Sequence, residues 1–321
     1  MLEQFILGVD IGGTKIAAGL VSSAGEILFN TRVPMVASAD AAAGFSSVEN
    51  AIRTVLSARP EARSSLQGIG ICSPGPLDPQ SGIVLNPPNL PCWRNFPLAA
   101  EVERVFGLAA RVDNDANAAG LAEAIWGAGV GFKDVFYATV GTGIGTGIIF
   151  DRKIYHGRTG SAGEGGHVTI DYRGPMCGCG KRGCIEALCS GPAIAQRARA
   201  RLSEPGGADS RLLSLAGGDA NEIRAETVGE AYRQGDRLAA TLLEETADLL
   251  AIWLGNIVDL LEPDVIVLGG GAAELMKPFF GRVRETLPKW CIIPRASEIP
   301  IVAARYGADA GIAGAAALCS L

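Results

Sequence analysis

An apolar strand, a glycine turn and a returning strand occur twice in this chain. In the first copy, a strand opening at Phe5 leads into Gly12-Gly13-Thr14 and a second strand, Ile16 to Val21. In the other, Val135 to Val140 leads into Gly141 to Thr146 and returns as Gly147 to Phe150. Such segments read as β-hairpins, and their recurrence implies one structural unit used twice. The first copy continues as a strand from Glu26 to Val33. Phe45, Val48, Ile52, Val55 and Leu56 then recur at helical spacing, and a buried strand follows from Gly68 to Cys72. After the second copy, Leu238, Leu242, Leu249, Trp253, Ile257 and Leu260 mark a long amphipathic helix. The strand Val265 to Leu268 then runs into Gly269-Gly270-Gly271. Ile301 to Ala303 reads as a last strand and Ala308 to Leu318 as a closing helix. Ser203 to Glu222, with Pro205-Gly206-Gly207 and Gly217-Gly218, reads as a surface loop or a loosely held helical excursion. The proline-rich Ser73 to Pro97 reads as a functional loop, because amide and aromatic residues are spaced among its prolines.

Composition narrows the function classes. The chain has 321 residues, 48% of them hydrophobic, which allows two domains or one large α/β unit. Its net charge is −6 and no run of five basic residues occurs, so a nucleic-acid footprint is missing. The uncharged stretch Val135 to Phe150 contains four glycines and falls short of the about 18 apolar residues of a membrane span. Met1-Leu2-Glu3-Gln4 has no basic leader, so a cytoplasmic location is expected. Four of the eight cysteines crowd between Cys177 and Cys189. In a long chain of this kind that clustering points to metal rather than to a disulfide framework.

Four segments carry chemistry. Asp10-Ile11-Gly12-Gly13-Thr14-Lys15 sets a carboxylate at a strand end, then a turn whose missing side chains let a phosphate approach backbone N–H groups. Gly141-Thr142-Gly143-Ile144-Gly145-Thr146 offers a second such set, and together they suit a triphosphate. Neither has P-loop spacing, and neither opens a helix as a dinucleotide fingerprint does. Val112 to Ala119, with Asp113, Asn114, Asp115 and Asn117, follows a strand and precedes a small-residue helix. Its acids and amides exceed what a helix cap requires. Finally His167, Cys177, Cys179 and Cys184 form the three-thiolate, one-imidazole set of a closed tetrahedral zinc site. Cys189 is a spare thiol, and His156 is expected at the surface near a turn.

These segments resemble the ROK family of sugar kinases and sugar-responsive repressors, within the sugar-kinase/actin/Hsp70 superfamily. Asp10 to Lys15, Gly141 to Gly147 and Leu268 to Gly271 resemble its phosphate-1, phosphate-2 and adenosine segments. Glu164-Gly165-Gly166-His167, followed by Cys177-Gly178-Cys179-Gly180-Lys181-Arg182-Gly183-Cys184-Ile185-Glu186, resembles its zinc motif. The resemblance implies an α/β fold of two actin-like, ribonuclease H-like lobes around a central cleft, with a small zinc-binding loop. It suggests lobes of residues 1–116 with 303–321, and of 117–302. It also implies an ATP-dependent hexose kinase, a glucokinase acting on the 6-hydroxyl of glucose. Kinases for N-acetylmannosamine, N-acetylglucosamine, fructose or allose remain open, as do a non-catalytic sugar sensor and polyphosphate as donor. The implied catalytic base is Asp115, with Asp113 the alternative. Asn89, Asn114, Asp115, Glu164, His167 and Glu186 would bind the sugar. Asp10, Gly12, Gly13, Thr14, Lys15, Gly141, Thr142, Gly143, Gly270 and Gly271 would bind ATP with Mg²⁺, and structural Zn²⁺ would sit on His167, Cys177, Cys179 and Cys184. Expected partners are the hexose and ATP in a dimer or tetramer, with no nucleic acid and no membrane.

Overall fold

The computed structural model describes residues 4–37, 40–204 and 207–320. Met1 to Glu3, on which the leader expectation rests, and Pro205 and Gly206 of the expected surface loop lie outside the described residues. In chain order the elements are β1 (Phe5–Ile11), β2 (Lys15–Ser22), β3 (Ile27–Pro34), α1 (Ala41–Ala58), β4 (Leu66–Ser73), β5 (Leu77–Asp78), β6 (Ile83–Val84), α2 (Leu98–Phe106), β7 (Ala110–Asn114), α3 (Asp115–Trp126), β8 (Asp134–Val140), β9 (Ile144–Phe150) and β10 (Lys153–Ile154). There follow α4 (Ile185–Cys189), α5 (Gly191–Leu202), α6 (Leu212–Leu215), α7 (Ala225–Arg233), α8 (Arg237–Leu261), β11 (Val265–Gly269), α9 (Gly271–Met276), α10 (Phe280–Thr286), β12 (Ile301–Ala303) and α11 (Ala310–Ala317). Among the described residues, one five-stranded sheet has the order β3-β2-β1-β4-β7 and the other β10-β9-β8-β11-β12. The two orders correspond strand for strand, as the repeat predicts. No helix of the described residues is long and apolar enough to cross a membrane.

The chain divides into two compact units: Met1–Tyr137 with Gly147–Gly163 and Arg305–Leu321, and Ala138–Thr146 with Glu164–Ala304. Strands β8 and β9 therefore supply residues to both.

In the first unit, β1 pairs antiparallel with β2 and parallel with β4, and β4 pairs parallel with β7. Helix α1 starts where the Asp40 side chain accepts the Ala43 N–H at 2.8 Å, a standard N-cap, and buries Val48, Ile52 and Val55 against the sheet. Helix α11 consists of alanine and glycine apart from Ile312, and it lies on β1 and β4 at backbone distance. A Cβ added at Gly70 would stand 1.7 Å from the Ala315 carbonyl oxygen, and one at Gly8 2.1 Å from that of Ile312. Those two strand glycines are what let a helix without large side chains pack so closely.

The second unit centres on α8. Asp236 caps it by accepting the Ala239 N–H at 2.9 Å, and Leu242, Leu250, Trp253, Leu254 and Ile257 are buried among α4, α5, α7 and α10. The expected loop after Ser203 contains α6 and two 3₁₀ turns, Gly207–Asp209 and Ala220–Glu222, and so fits the helical excursion. One strand starts earlier than expected: β9 begins at Ile144 rather than Gly147. Gly147 belongs to the strand because α3 crosses it closely. A Cβ there would lie 2.8 Å from the Ala116 carbonyl oxygen, so this glycine marks an approach and not a turn.

Candidate active site

Parallel pairing in the first unit gathers the acids. Register places Asp10 opposite Cys72 and Cys72 opposite Asp113, so these residues form one row at the ends of β1, β4 and β7. Ends of parallel strands are where open α/β sheets bind ligands. At the β7–α3 junction Asn114 caps the helix, its Oδ1 accepting the Ala116 N–H at 2.9 Å and the Asn117 N–H at 3.3 Å. Asp115 is the first helical residue and accepts the Ala116 N–H at 2.8 Å. It is exposed by surface area, yet the protein around its carboxyl is as dense as around a buried group. The second property governs its ionisation, since hydration of an ion depends on water beyond the contact surface. That burial raises its pKa above 3.8 and Asp10 adds to the rise, while hydrogen bonds from Ala116 and Asn114 oppose it.

Asp10 is also raised by burial, against the lowering effects of the Cys72 thiol, Lys15 and Arg32. Cys72 donates to Asp10 at 3.4 Å and is fully buried, and burial together with the nearby carboxylates holds its own pKa well above normal. Asn89 is exposed, beside the turn formed by Gly12, Gly13, Thr14 and Lys15: a Cβ at Gly13 would stand 2.8 Å from the Asn89 carbonyl oxygen. Trp93 packs the same loop from below, buried and stacked on Phe96 at 5.0 Å. A crowded carboxyl pair beside a phosphate-sized glycine turn is suited to taking a proton and facing a cation.

The second unit assembles the thiols. Donor atoms of His167, Cys177, Cys179 and Cys184 all lie within 4.8 Å of one another. Cys179 and Cys184 sulfurs are 3.7 Å apart, and Cys177 sulfur is 3.6 Å from His167 Nδ1. A zinc–sulfur bond of about 2.3 Å implies a tetrahedral edge of about 3.8 Å, so the spacing fits zinc. Burial pushes the Cys184 thiol up to about 11, and the Cys179 and Cys177 thiols push it the same way. Three sulfurs and an imidazole this close form a donor set that would suit a zinc ion. Cys189 stands apart, fully buried and pushed up to about 12.

Glu186 joins this cluster to the glycine turn. Its Oε1 lies 3.8 Å from both Cys177 sulfur and His167 Nδ1, and its Oε2 accepts the Ile144 N–H at 2.9 Å. A Cβ at Gly143 would meet Oε2 at 2.6 Å. The Glu164-to-His167 segment lies along the start of β9, with the Gly165 N–H donating to Thr146 Oγ1 at 3.0 Å. Glu164 itself is exposed. Gly141 accepts the Gly191 N–H at 2.8 Å, Thr142 is exposed, and Gly270, with φ of 90°, leads into Gly271 at the start of α9.

Sequence reasoning missed four residues. Cys72 becomes visible only once strand register is known. Thr146 sat unnoticed within a glycine turn. Trp253 reads as one more core position of α8, although its Nε1–H donates to the Gly165 carbonyl at 3.0 Å. His156, expected at the surface, has its Nε2 2.6 Å from Asp113 Oδ2.

The chain is similar to known proteins over nearly its whole length. The ROK family profile matches residues 6–320. A glucokinase of Thermotoga maritima is 34% identical over 316 residues, 98% of this chain and 96% of the relative. An N-acetylmannosamine kinase of Shigella flexneri is also 34% identical, over 98% of this chain and 97% of its own. Among solved structures, a ROK glucokinase from Streptomyces griseus in complex with glucose and AMPPNP has a TM-score of 0.79 and 36% identity, covering 98% of both chains. With phosphate-type turns, strand-end acids and a Cys₃His loop all inside that match, the chain belongs to the ROK family.

Proposed function

We propose that this protein is a glucokinase, transferring the γ-phosphoryl group of ATP to the 6-hydroxyl of glucose. The observation that carries the reading is its full-length likeness to the glucose- and AMPPNP-bound Streptomyces griseus glucokinase. Asp115 is the base. Its raised pKa suits it to accept the hydroxyl proton as that oxygen bonds to the γ-phosphorus and the bond to the β–γ bridging oxygen breaks, releasing ADP. Asp113 is the poorer candidate, because its carboxylate already takes the Asn114 N–H, the Asn117 amide and His156. Asn114, Asn89, Glu164, His167 and Glu186 orient the sugar.

The turns at Gly12 to Lys15 and at Gly141 to Gly143 hold the phosphates through backbone N–H groups, and Gly270 and Gly271 hold the adenosine. Asp10, whose pKa burial raises, would face Mg²⁺ bound with those phosphates. Magnesium would neutralise charge developing on the phosphates. Zinc on His167, Cys177, Cys179 and Cys184 would fill its shell with protein donors and act as a cross-link. On this reading the enzyme is cytoplasmic and homo-oligomeric, as a dimer or tetramer.

A coupled assay over glucose, fructose, allose, N-acetylmannosamine and N-acetylglucosamine, with ATP or polyphosphate, tests the proposal. Glucose with ATP is expected to give kcat/KM at least about tenfold above the others, the scale set by polar groups left unpaired. A higher value for N-acetylmannosamine would replace glucokinase with the activity of the Shigella relative.

A further inference from the structure

We propose that His156 is a positioning residue for the phosphoryl transfer, holding Asp113 so that the β7–α3 junction aims Asp115. The proposal takes from the kinase reading only the reaction to be assayed. Asp113 is 6% exposed at its side chain, and its carboxylate ties together three parts of the first unit. Oδ1 accepts the Asn114 N–H at 2.7 Å, at the end of β7, and the Asn117 amide at 3.1 Å, in the first turn of α3. Oδ2 meets His156 Nε2 at 2.6 Å. Asp115 lies in the sequence between those two asparagines. Whatever turns the Asp113 carboxylate therefore turns the residue that begins the helix.

His156 is itself firmly placed. It lies two residues past the end of β10, just after a hydrogen bond from the Tyr155 N–H to the Ile148 carbonyl at 2.8 Å, and its own carbonyl accepts the Ala162 N–H at 3.1 Å. The two asparagine donors both meet Oδ1, whereas His156 Nε2 meets Oδ2, and that hydrogen bond raises the His156 pKa. Without that partner a nearly inaccessible carboxylate keeps one oxygen unpaired. Such a group is free to rotate, which loosens the Asn114 and Asn117 contacts. His156 thus acts through Asp113 on Asp115, at the end of a β9–β10 hairpin that also backs α3 at Gly147.

The test compares two amides on a side chain that is 32% exposed, where polar replacements leave the core unfilled by nothing larger than an imidazole edge. In His156→Gln the amide nitrogen reaches about where Nε2 lies; in His156→Asn it stops near Nδ1. Steady-state kinetics of the full chain, on the best sugar of the panel, should show kcat of His156→Asn reduced about tenfold or more with KM for ATP nearly unchanged, a loss typical of a misaimed reacting group. His156→Gln should stay within about threefold of wild type, rescued by the retained hydrogen bond. In Asp113→Asn protein, adding His156→Asn should cost little more, because the two substitutions remove one interaction. Wild-type activity with equal kcat in His156→Asn, or with both variants equally impaired, overturns the positioning role alone. A wild-type protein that phosphorylates no sugar overturns the kinase reading and this role with it.

Discussion

Asp10, Asp113 and Asn114 stand at the ends of hydrogen-bonded strands, whereas Cys177, Cys179 and Cys184 lie in a loop outside any strand, joined by the isolated bridges Thr169 with Cys184 and Met176 with Arg182 and by turn hydrogen bonds such as Cys177 N–H to the Lys181 carbonyl. The acids are therefore placed by the sheet before any ligand arrives. The thiols are held by tight turns and a few carbonyls. One region is preorganised by its ladder, and the other brings together a donor set that would suit a zinc ion.

Replacing the base should break the first half of that contrast most severely. In Asp115→Asn, kcat should fall by about 10²–10⁴-fold while glucose affinity by calorimetry stays within about threefold, because the strand ends remain in place. Retention of more than about a tenth of wild-type kcat would remove Asp115 from the role.

Zinc removal addresses the other half. Elemental analysis should find about one equivalent, and Cys179→Ser or chelation should weaken glucose binding by about tenfold or more, as loss of ligand support does elsewhere. Because Glu186 also holds the Ile144 N–H, KM for ATP should rise as well, though less. Active wild-type protein with under about half an equivalent of zinc contradicts the cross-link.

A smaller effect is expected beneath the thiol loop. Trp253→Phe removes the donor to Gly165 and part of a fully buried ring, costing about 1–3 kcal/mol, read as a lower Tm of the zinc-loaded protein. No change in Tm would mean that the Trp253 contact contributes nothing to holding the loop.

The mildest test is pH. Asp115 holds its proton more tightly in the folded protein than in the unfolded chain, so ionising it costs stability. That cost is present above its raised pKa and is relieved as pH falls toward 3.8. The acid limb of kcat should accordingly have its midpoint above 3.8, and Asp115→Asn should leave Tm at neutral pH equal or slightly higher. A Tm clearly lowered by Asp115→Asn would show instead that the ionised carboxylate stabilises the fold.

Much of this was legible from residues alone, for definite physical reasons. Glycine turns between apolar strands declare themselves by a pattern that occurs twice, and three cysteines with a histidine have few other uses in such a loop. The helical stripe through α8 follows from its period. Contacts that depend on parallel register were not legible. Cys72 meets Asp10 across sixty-odd positions of sequence only because β1 and β4 pair in one particular alignment. His156 has a bland local context, and nothing near it announces Asp113. Glu186 was legible as part of a motif, but its bond to Ile144 required the start of β9 to be known.

The closing helix bears on how the protein is made. Gly8 and Gly70 are shaped to receive the carbonyls of Ile312 and Ala315, and Ile6, Ala17 and Val21 bury themselves against Ile312 and Ala316. Yet α11 leaves the ribosome only after all of the second unit has been synthesised. Until α11 is made, Ile6, Ala17 and Val21 lack their partners Ile312 and Ala316, while the sheet already has α1 on its other face. A nascent chain in that state is exposed to edge pairing and to chaperone capture. The row of strand-end residues that includes Asp10, whose floor is Gly311, is completed only after translation has passed through the whole of unit two.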